Sequence, residues 1–375
     1  MQSRLRWLLL ELRWLGGKVV AGLVMVGMVL VMPLAIRAAA SPSSPSPEDS
    51  ARRFFHRYVD DDGRVVRRDQ GGDTVSEGQA YAMLLAVALG DRERFASVWG
   101  WARDNLQRDD GLLSWHWVGG QVADAQSAAD ADLDAAWALM LAADRFDEPS
   151  YRDEAARIAT AILDQETVPT PLGPVLVAGP WARTDPARVN PSYFSFAAYD
   201  ALGTLTGDAR WAQVSDSSRR IVDTLTAGGR LPPDWASVGT DGTVTAVPAE
   251  GSDAPPEYGL DAARVVVRAA TGCKSDRAAA KRVARVLDQR GHLESGQKVS
   301  IDGQSEVADT RSAVMLVAGA AAADAAGWTT TRDRALGRAS SFDRQHPSYY
   351  GSAWIALGTA LLDRRLGATC APAAP

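Results

Sequence analysis

The chain has 375 residues, 46 % of them apolar and 23 % charged, the make-up of a globular protein with room for one large domain or two small ones. Its net charge is −6 and no basic stripe is wide enough to neutralise a run of phosphates, which argues against nucleic acid as a partner. Four His and two Cys leave little material for a Cys/His zinc site, and the sequence has no P-loop, no dinucleotide-binding glycine pattern and no Gly-x-Ser-x-Gly elbow.

The first 18 residues carry Arg4, Arg6, Arg13 and Lys18 against one acid, Glu11. An apolar run over 19–36 follows, then Arg37 and the small-residue stretch Ala38-Ala39-Ala40. Residues 1–40 therefore read as an export signal, positive side inward. Both a cleaved signal and a retained membrane anchor fit a run of that length. In either case the rest of the chain is expected outside the cytoplasm, secreted or held at the outer face of the cell membrane by 19–36. Residues 41–50, Ser-Pro-Ser-Ser-Pro-Ser-Pro-Glu-Asp-Ser, read as an extended Pro/Ser linker. One domain is expected over 51–370.

From residue 51 the apolar spacing is helical almost throughout. Ser76-Glu77-Gly78-Gln79 has the spacing of a capping box and Gly90 is a natural stop, so a helix is predicted over 77–89. Similar stretches predict helices near 51–58, 92–106, 130–145, 150–164, 191–206, 208–226, 258–271, 276–290, 304–325, 331–340 and 348–365, about twelve in all. Strand signals are short, as at 175–178 and 243–247. The pattern alone gives an all-α domain. Twelve Trp is a high count; most are expected in the core, although flat aromatic faces also suit sugar rings.

Three acidic segments stand out. In Ser76-Glu77-Gly78-Gln79 the acid could simply be a first-turn Glu favoured by the helix dipole. That leaves Gly78 unexplained, because glycine inside a helix costs about 1 kcal/mol relative to Ala. A close approach to the backbone at Gly78 is the alternative. The dipole would also favour the charged form of Glu77, so a proton-donating role requires burial to oppose it. In Asp130-Ala131-Asp132-Leu133-Asp134 the alternation looks like a metal loop, but the Gly and later Glu of an EF-hand are missing. Capping and function are equally compatible with Asp130, and Asp134 reads as a first-turn acid. In Asp261-Ala262-Ala263-Arg264 the acid and the base share a helical face and can pair, within an otherwise apolar stretch.

These segments together resemble glycoside hydrolase family 8, in its endoglucanase (cellulase) branch. The likeness is carried by Ser-Glu77-Gly-Gln, the Asp130-Ala-Asp run ending in Asp-Arg-Phe146, Asn190-Pro-Ser-Tyr193-Phe, Pro233-Asp234-Trp235, Asp261-Ala-Ala-Arg264 and Tyr349-Tyr350-Gly351, in the family's order and over nearly all of 51–365. The resemblance implies an (α/α)6 barrel, six helical hairpins in an inner and an outer ring, with a substrate groove across one end. It implies inverting endo-hydrolysis of β-1,4-glycosidic bonds, most simply in a β-glucan such as cellulose. By position it makes Glu77 the general acid, Asp261 the general base, Asp130 the residue that holds and distorts the sugar, and Arg264 the support of the base. Tyr193, Tyr350, Trp115 and Trp117 fall where the family lines its groove. No cofactor and no metal are implied, and a monomer is expected.

The chain departs from that pattern at Ala129, at Ala135 and above all at Leu260, where many members carry a Tyr that orders the attacking water. Leu260 keeps open a weak or inactive cell-surface glycan-binding protein, and the family's range separately keeps open the same fold acting on xylan or chitosan. The Asp130-x-Asp132 pair also suits a terpene-type cyclase, but export argues against a cytoplasmic prenyl substrate. Cys273 and Cys370 fit either one disulfide or two separate buried thiols.

Overall fold

The computed structural model describes residues 44–367, with nothing assigned to the side chains of 308–310. The chain divides between Ser41 and Pro42, and every described residue belongs to the second unit. The expected export signal over 1–40, the start of the linker and Cys370 lie outside the described residues.

Twelve α-helices make up most of the described chain: α1 (Pro47–Tyr58), α2 (Ser76–Leu89), α3 (Arg92–Asn105), α4 (Ala129–Phe146), α5 (Pro149–Gln165), α6 (Phe196–Thr206), α7 (Arg210–Leu225), α8 (Leu260–Thr271), α9 (Lys274–Gln289), α10 (Ala313–Ala326), α11 (Thr329–Gln345) and α12 (Tyr349–Leu362). Their sequences sort them into two rings. Helices α2, α10 and α12 are buried along nearly every residue, and α4 along most of its length. A helix apolar on all sides must be covered on all sides. Helices α1, α7 and α9 bury one face and leave the other to solvent. The even-numbered helices accordingly pack in succession, α2 on α4, α4 on α6, α6 on α8, α8 on α10 and α10 on α12, and α12 closes the ring on α2. Each is backed by an outer helix: α3, α5, α7, α9 and α11 by the hairpin that follows, and α12 by α1 from the far end of the chain. This is the (α/α)6 barrel expected from the resemblance.

The two ends of the barrel are built differently. Inner helices α2, α4, α6 and α10 stop at a left-handed residue, Gly90, Asp147, Gly207 and Gly327, and turn within two or three residues into their outer partners. At the other end, only residues 346–348 lead into α12, while long connections lead into the other five inner helices. They carry short antiparallel ladders, Thr74–Val75 with His116–Val118 and Gln121–Asp124, Thr167–Thr170 with Gly173–Leu176, Ala187–Val189 with Trp235–Val238 and Val244–Val247, and Glu257–Tyr258 with Gln297–Ser300 and Glu306–Arg311.

Four sequence expectations shift. The linker is shorter than 41–50, because Pro47–Ser50 open α1: Ser46 caps it by accepting the Asp49 amide, and Pro47 takes the first turn, where its missing N–H costs nothing. The helix expected over 304–325 begins at Ala313, since Glu306–Arg311 pairs with Gln297–Ser300 and Ser312 caps the helix. The stretch 191–206 is a 3-10 turn (Pro191–Tyr193) followed by α6. Ser76-Glu77-Gly78-Gln79 forms no capping box. Val75 is the N-cap, and Gln79 instead ties down the loop before α2, accepting the Val65 amide and donating to the Gly63 and Val98 carbonyls. Cys273, between α8 and α9, is disulfide-bonded.

Candidate active site

The N-termini of the inner helices meet at the end with the long connections, and their first turns supply the polar groups. Glu77 comes from α2, Asp130 from α4, Asp261 and Arg264 from α8, and Tyr349 and Tyr350 from α12. Asn190 and Tyr193 come from the turn before α6.

Arg264 ties them together. Its guanidinium is buried, 2 % exposed. Nη1 donates to Asp130 Oδ2 at 2.8 Å, to Glu77 Oε2 at 3.1 Å and to the Tyr81 hydroxyl at 3.1 Å. Nη2 donates to Asp261 Oδ1 at 2.9 Å. The Tyr193 and Tyr350 rings flank the cation, with centroids 5.3 and 5.9 Å from its central carbon. Asn190 holds the far oxygen of Asp261, donating from Nδ2 to Oδ2 at 2.9 Å, while its own Oδ1 accepts from the Ser192 amide and hydroxyl. Behind this cluster Arg268 and Asp134 form a buried two-bond ion pair, at 3.0 and 2.7 Å, so Asp134 is a barrel brace and not a first-turn acid. Asp130 is no cap either, because Ala128 is the N-cap of α4.

The carboxyl groups differ in exposure. The Glu77 and Asp261 side chains are 22 % and 30 % exposed and open to the groove, whereas Asp130 is sealed at 2 %. Burial pushes the Glu77 carboxyl up to about 8; Arg264 opposes this, and Asp130 and Asp261 reinforce it. Glu77 thus keeps its proton at neutral pH despite its place at a helix N-terminus. Asp130 is also raised, again chiefly by burial and against the pull of Arg264. Gly78 has its reason here: a Cβ would sit 2.6 Å from the Tyr349 hydroxyl.

Beside this cluster a cavity of about 410 Å³ is walled by Trp115, Trp181, Trp235 and Tyr193, with Ser127, Ala128 and Ala178 at its base. Trp115 thus lies where a stacking aromatic is needed. Trp117 does not line this cavity; it packs edge-on against Trp101 and under the Arg64 guanidinium. A larger hollow of about 990 Å³ lies at the opposite end, by the Gly90 turn, and its charged residues carry both signs without a matching constellation.

Several site residues were not singled out from the sequence. Asp234 accepts the Gly259 and Ala262 amides and so caps α8 beside Asp261; burial first, then the Asp261 charge, raises it to about 7. Its Pro-Asp-Trp setting was the available signal. Asn190 stands in a segment that carries the family likeness with no role attached to it, and Tyr81 offers only its helical spacing from Glu77. Leu260 is half-buried against the core and brings no polar atom to the groove.

Residues 23–362 match the glycosyl hydrolases family 8. A probable endoglucanase from Novacetimonas hansenii is 37 % identical over 235 residues, covering 60 % of this chain and 67 % of that protein. An endoglucanase from Cellulomonas uda is 30 % identical over 220 residues, covering 57 % of this chain and 60 % of its own length. The alignments thus span about two thirds or less of these relatives. The solved endo-β-1,4-glucanase CMCax of Acetobacter xylinum superposes with a TM-score of 0.69 at 28 % identity, over 86 % of this chain and 99 % of that one.

Proposed function

The chain belongs to family 8 of the glycosyl hydrolases, as a glycoside hydrolase of the endoglucanase type, and on that premise we propose that it cuts a β-1,4-glucan internally, with inversion, between Glu77 and Asp261. The observation that carries this reading is the single buried guanidinium of Arg264, which gathers Glu77, Asp130 and Asp261 from three different helices. Inverting hydrolysis needs a protonated acid at the leaving oxygen and a base that activates water on the opposite face of the sugar, with about 6.5–9.5 Å between them for that water.

Glu77 is the acid: it is open to the groove and holds a proton that Arg264 alone would strip from it. Asp261 is the base. Arg264 and Asn190 each donate to one of its oxygens, which fixes the plane of the carboxyl group and leaves its exposed edge to a water. Asp130, which shares Arg264 Nη1 with the acid, takes the role the resemblance gives it, the grip on the sugar at the cleavage point. The Trp115, Trp181 and Trp235 faces suit stacking on neighbouring rings. Tyr193 and Tyr350 remain as hydroxyls for the attacking water, since Leu260 offers none. The basic start and apolar run of residues 1–36 support export, with the catalytic domain on the outer side.

Leu260 favours a second reading, a glycan-binding protein of low turnover. A reducing-sugar assay on soluble β-glucans, xylan and chitosan, with proton NMR of the first product, separates the two. The α-anomer of a cello-oligosaccharide appearing first is the expected result. A β-anomer rejects inversion, and binding without product supports the second reading.

A further inference from the structure

Two carboxyl groups beneath the aromatic cavity take no part in the chemistry above. Asp132, in the first turns of α4, and Glu166, just past the end of α5, are both wholly buried at 0 % exposed. One oxygen of each is occupied. Asp132 Oδ1 accepts the Leu113 amide at 2.7 Å, and Glu166 Oε1 accepts the Ser127 hydroxyl at 2.7 Å. The remaining two, Asp132 Oδ2 and Glu166 Oε2, receive no N–H or hydroxyl of the described residues. The two buried carboxyl groups are neighbours, each acting on the other. Two ionised carboxylates only accept, so a bond between the two requires a proton on one of them.

We infer that Asp132 and Glu166 share one proton and act as positioning residues, their O–H···O bond clamping together the three segments that wall the glycan cavity. The first segment runs from Leu113 to Trp115, whose amide also bonds the Gln126 carbonyl. The second is Ser127-Ala128, which leads directly into Asp130. The third is the hairpin after Glu166: the Glu166 carbonyl accepts the Val177 amide at 2.9 Å, and the Ala178 carbonyl accepts the Ala129 amide at 3.1 Å. Trp115, Ser127, Ala128 and Ala178 all line the cavity. A clamp under this wall sets how the wall meets a sugar chain without touching the acid or the base.

The surroundings keep the proton in place. Burial raises Asp132 well above the usual carboxylate range and lifts Glu166 to about 8. The other charged groups acting on the pair are Arg108, which lowers both, and Asp130, which raises both. Loss of the proton to alkaline solvent leaves two like charges in a dry site, and the clamp opens.

The inference rests on the polysaccharide reading for what fills the cavity, so the test separates the two. Cellopentaose binding is measured by calorimetry in Glu77→Gln, which removes the titration of Glu77, between about pH 7 and 10. The expected result is a Kd about tenfold weaker at the alkaline end, the worth of one charge-assisted hydrogen bond. Adding Glu166→Gln supplies an N–H that donates to Asp132 at every pH, and the dependence should flatten. Asp132→Asn does the same from the other side if Glu166→Gln fails to fold. Infrared spectra of the same proteins at neutral pH should show one protonated-carboxyl C=O contribution lost with either substitution. An unchanged carboxyl band, or an equal pH dependence with and without Glu166→Gln, overturns the shared proton. No cellopentaose binding at any pH overturns the substrate reading instead, and the infrared band still decides the pair.

Discussion

Asn190 Nδ2 donates to Asp261 Oδ2 at 2.9 Å, from a turn 71 positions away in the chain. Arg264 takes the other oxygen, so the plane of the carboxyl group is set by two donors on different elements. Asn190→Ala should leave Asp261 free to rotate and lower kcat about 10–100-fold, the worth of a hydrogen bond to a charged group. KM should change little, because Asn190 itself is buried. Steady-state kinetics check this, and an unchanged kcat rejects the role.

Glu77→Gln should cut turnover on unactivated polysaccharide about 10²–10⁴-fold with the fold intact. In the native enzyme the alkaline limb of kcat/KM should fall near the proton loss of Glu77 at about 8. An aryl glycoside with a good leaving group needs less protonation, so its loss should be much smaller. Equal losses on both substrates would sink the assignment.

Stability should depend on pH through the same group. Folded Glu77 holds its proton up to about 8, whereas the unfolded chain releases it near 4.5, the ordinary value for a glutamate. Between those values the native state binds more protons, so stability falls as pH rises through the window. Glu77→Gln should flatten part of that slope and raise the alkaline Tm. Asp234 and Glu166, raised to about 7 and 8, maintain the rest. Denaturant melts from acid to alkaline pH measure it.

Gly78→Ala brings two effects into opposition. Helix propensity gains about 1 kcal/mol. The new methyl, however, meets the buried Tyr349 hydroxyl and the Val65 side chain. Overpacking of that kind costs about 1–3 kcal/mol, so a net loss of stability and a displaced Glu77 are expected. A higher Tm with full activity would show that Tyr349 can give way.

Asp134→Ala strips the partner from Arg268, which is buried against the Trp354 ring. An uncompensated buried charge costs about 3–5 kcal/mol. Asp134→Leu combined with Arg268→Met should recover most of that loss. A double-mutant cycle on chemical denaturation reads the coupling directly.

The helices were legible from their apolar spacing, but that spacing gave only an all-α domain; the closed double ring came from the family resemblance, and the all-round burial of α2, α10 and α12 agrees with it. Glu77, Asp130, Asp261 and Arg264 were legible because each stands in a short segment of unusual composition. What escaped was long-range. Nothing local to Asn190 points to Asp261, and nothing local to Glu166 says that its partner is Asp132. Gln79 misled for the opposite reason, since its spacing matched a cap while its side chain was needed across the loop to Val65. Trp117 shares a stretch with Trp115, yet that stretch is bulged between His116 and Trp117.

The asymmetry of the barrel's two ends also decides where this protein can change. At the Gly90, Gly207 and Gly327 turns the backbone doubles back in a left-handed step, and an inserted residue would push an inner helix out of line with its outer partner. Apart from the short link 346–348 between α11 and α12, the opposite rim is made of longer connections that no helix pairing constrains in length. Changes in them that spare Asn190, Asp234 and the Ser127–Glu166 contact leave the ring and its charges in register. Tolerance for such changes is therefore expected on the face that carries the candidate site, where the same helical frame can hold a deeper, shallower or differently walled channel.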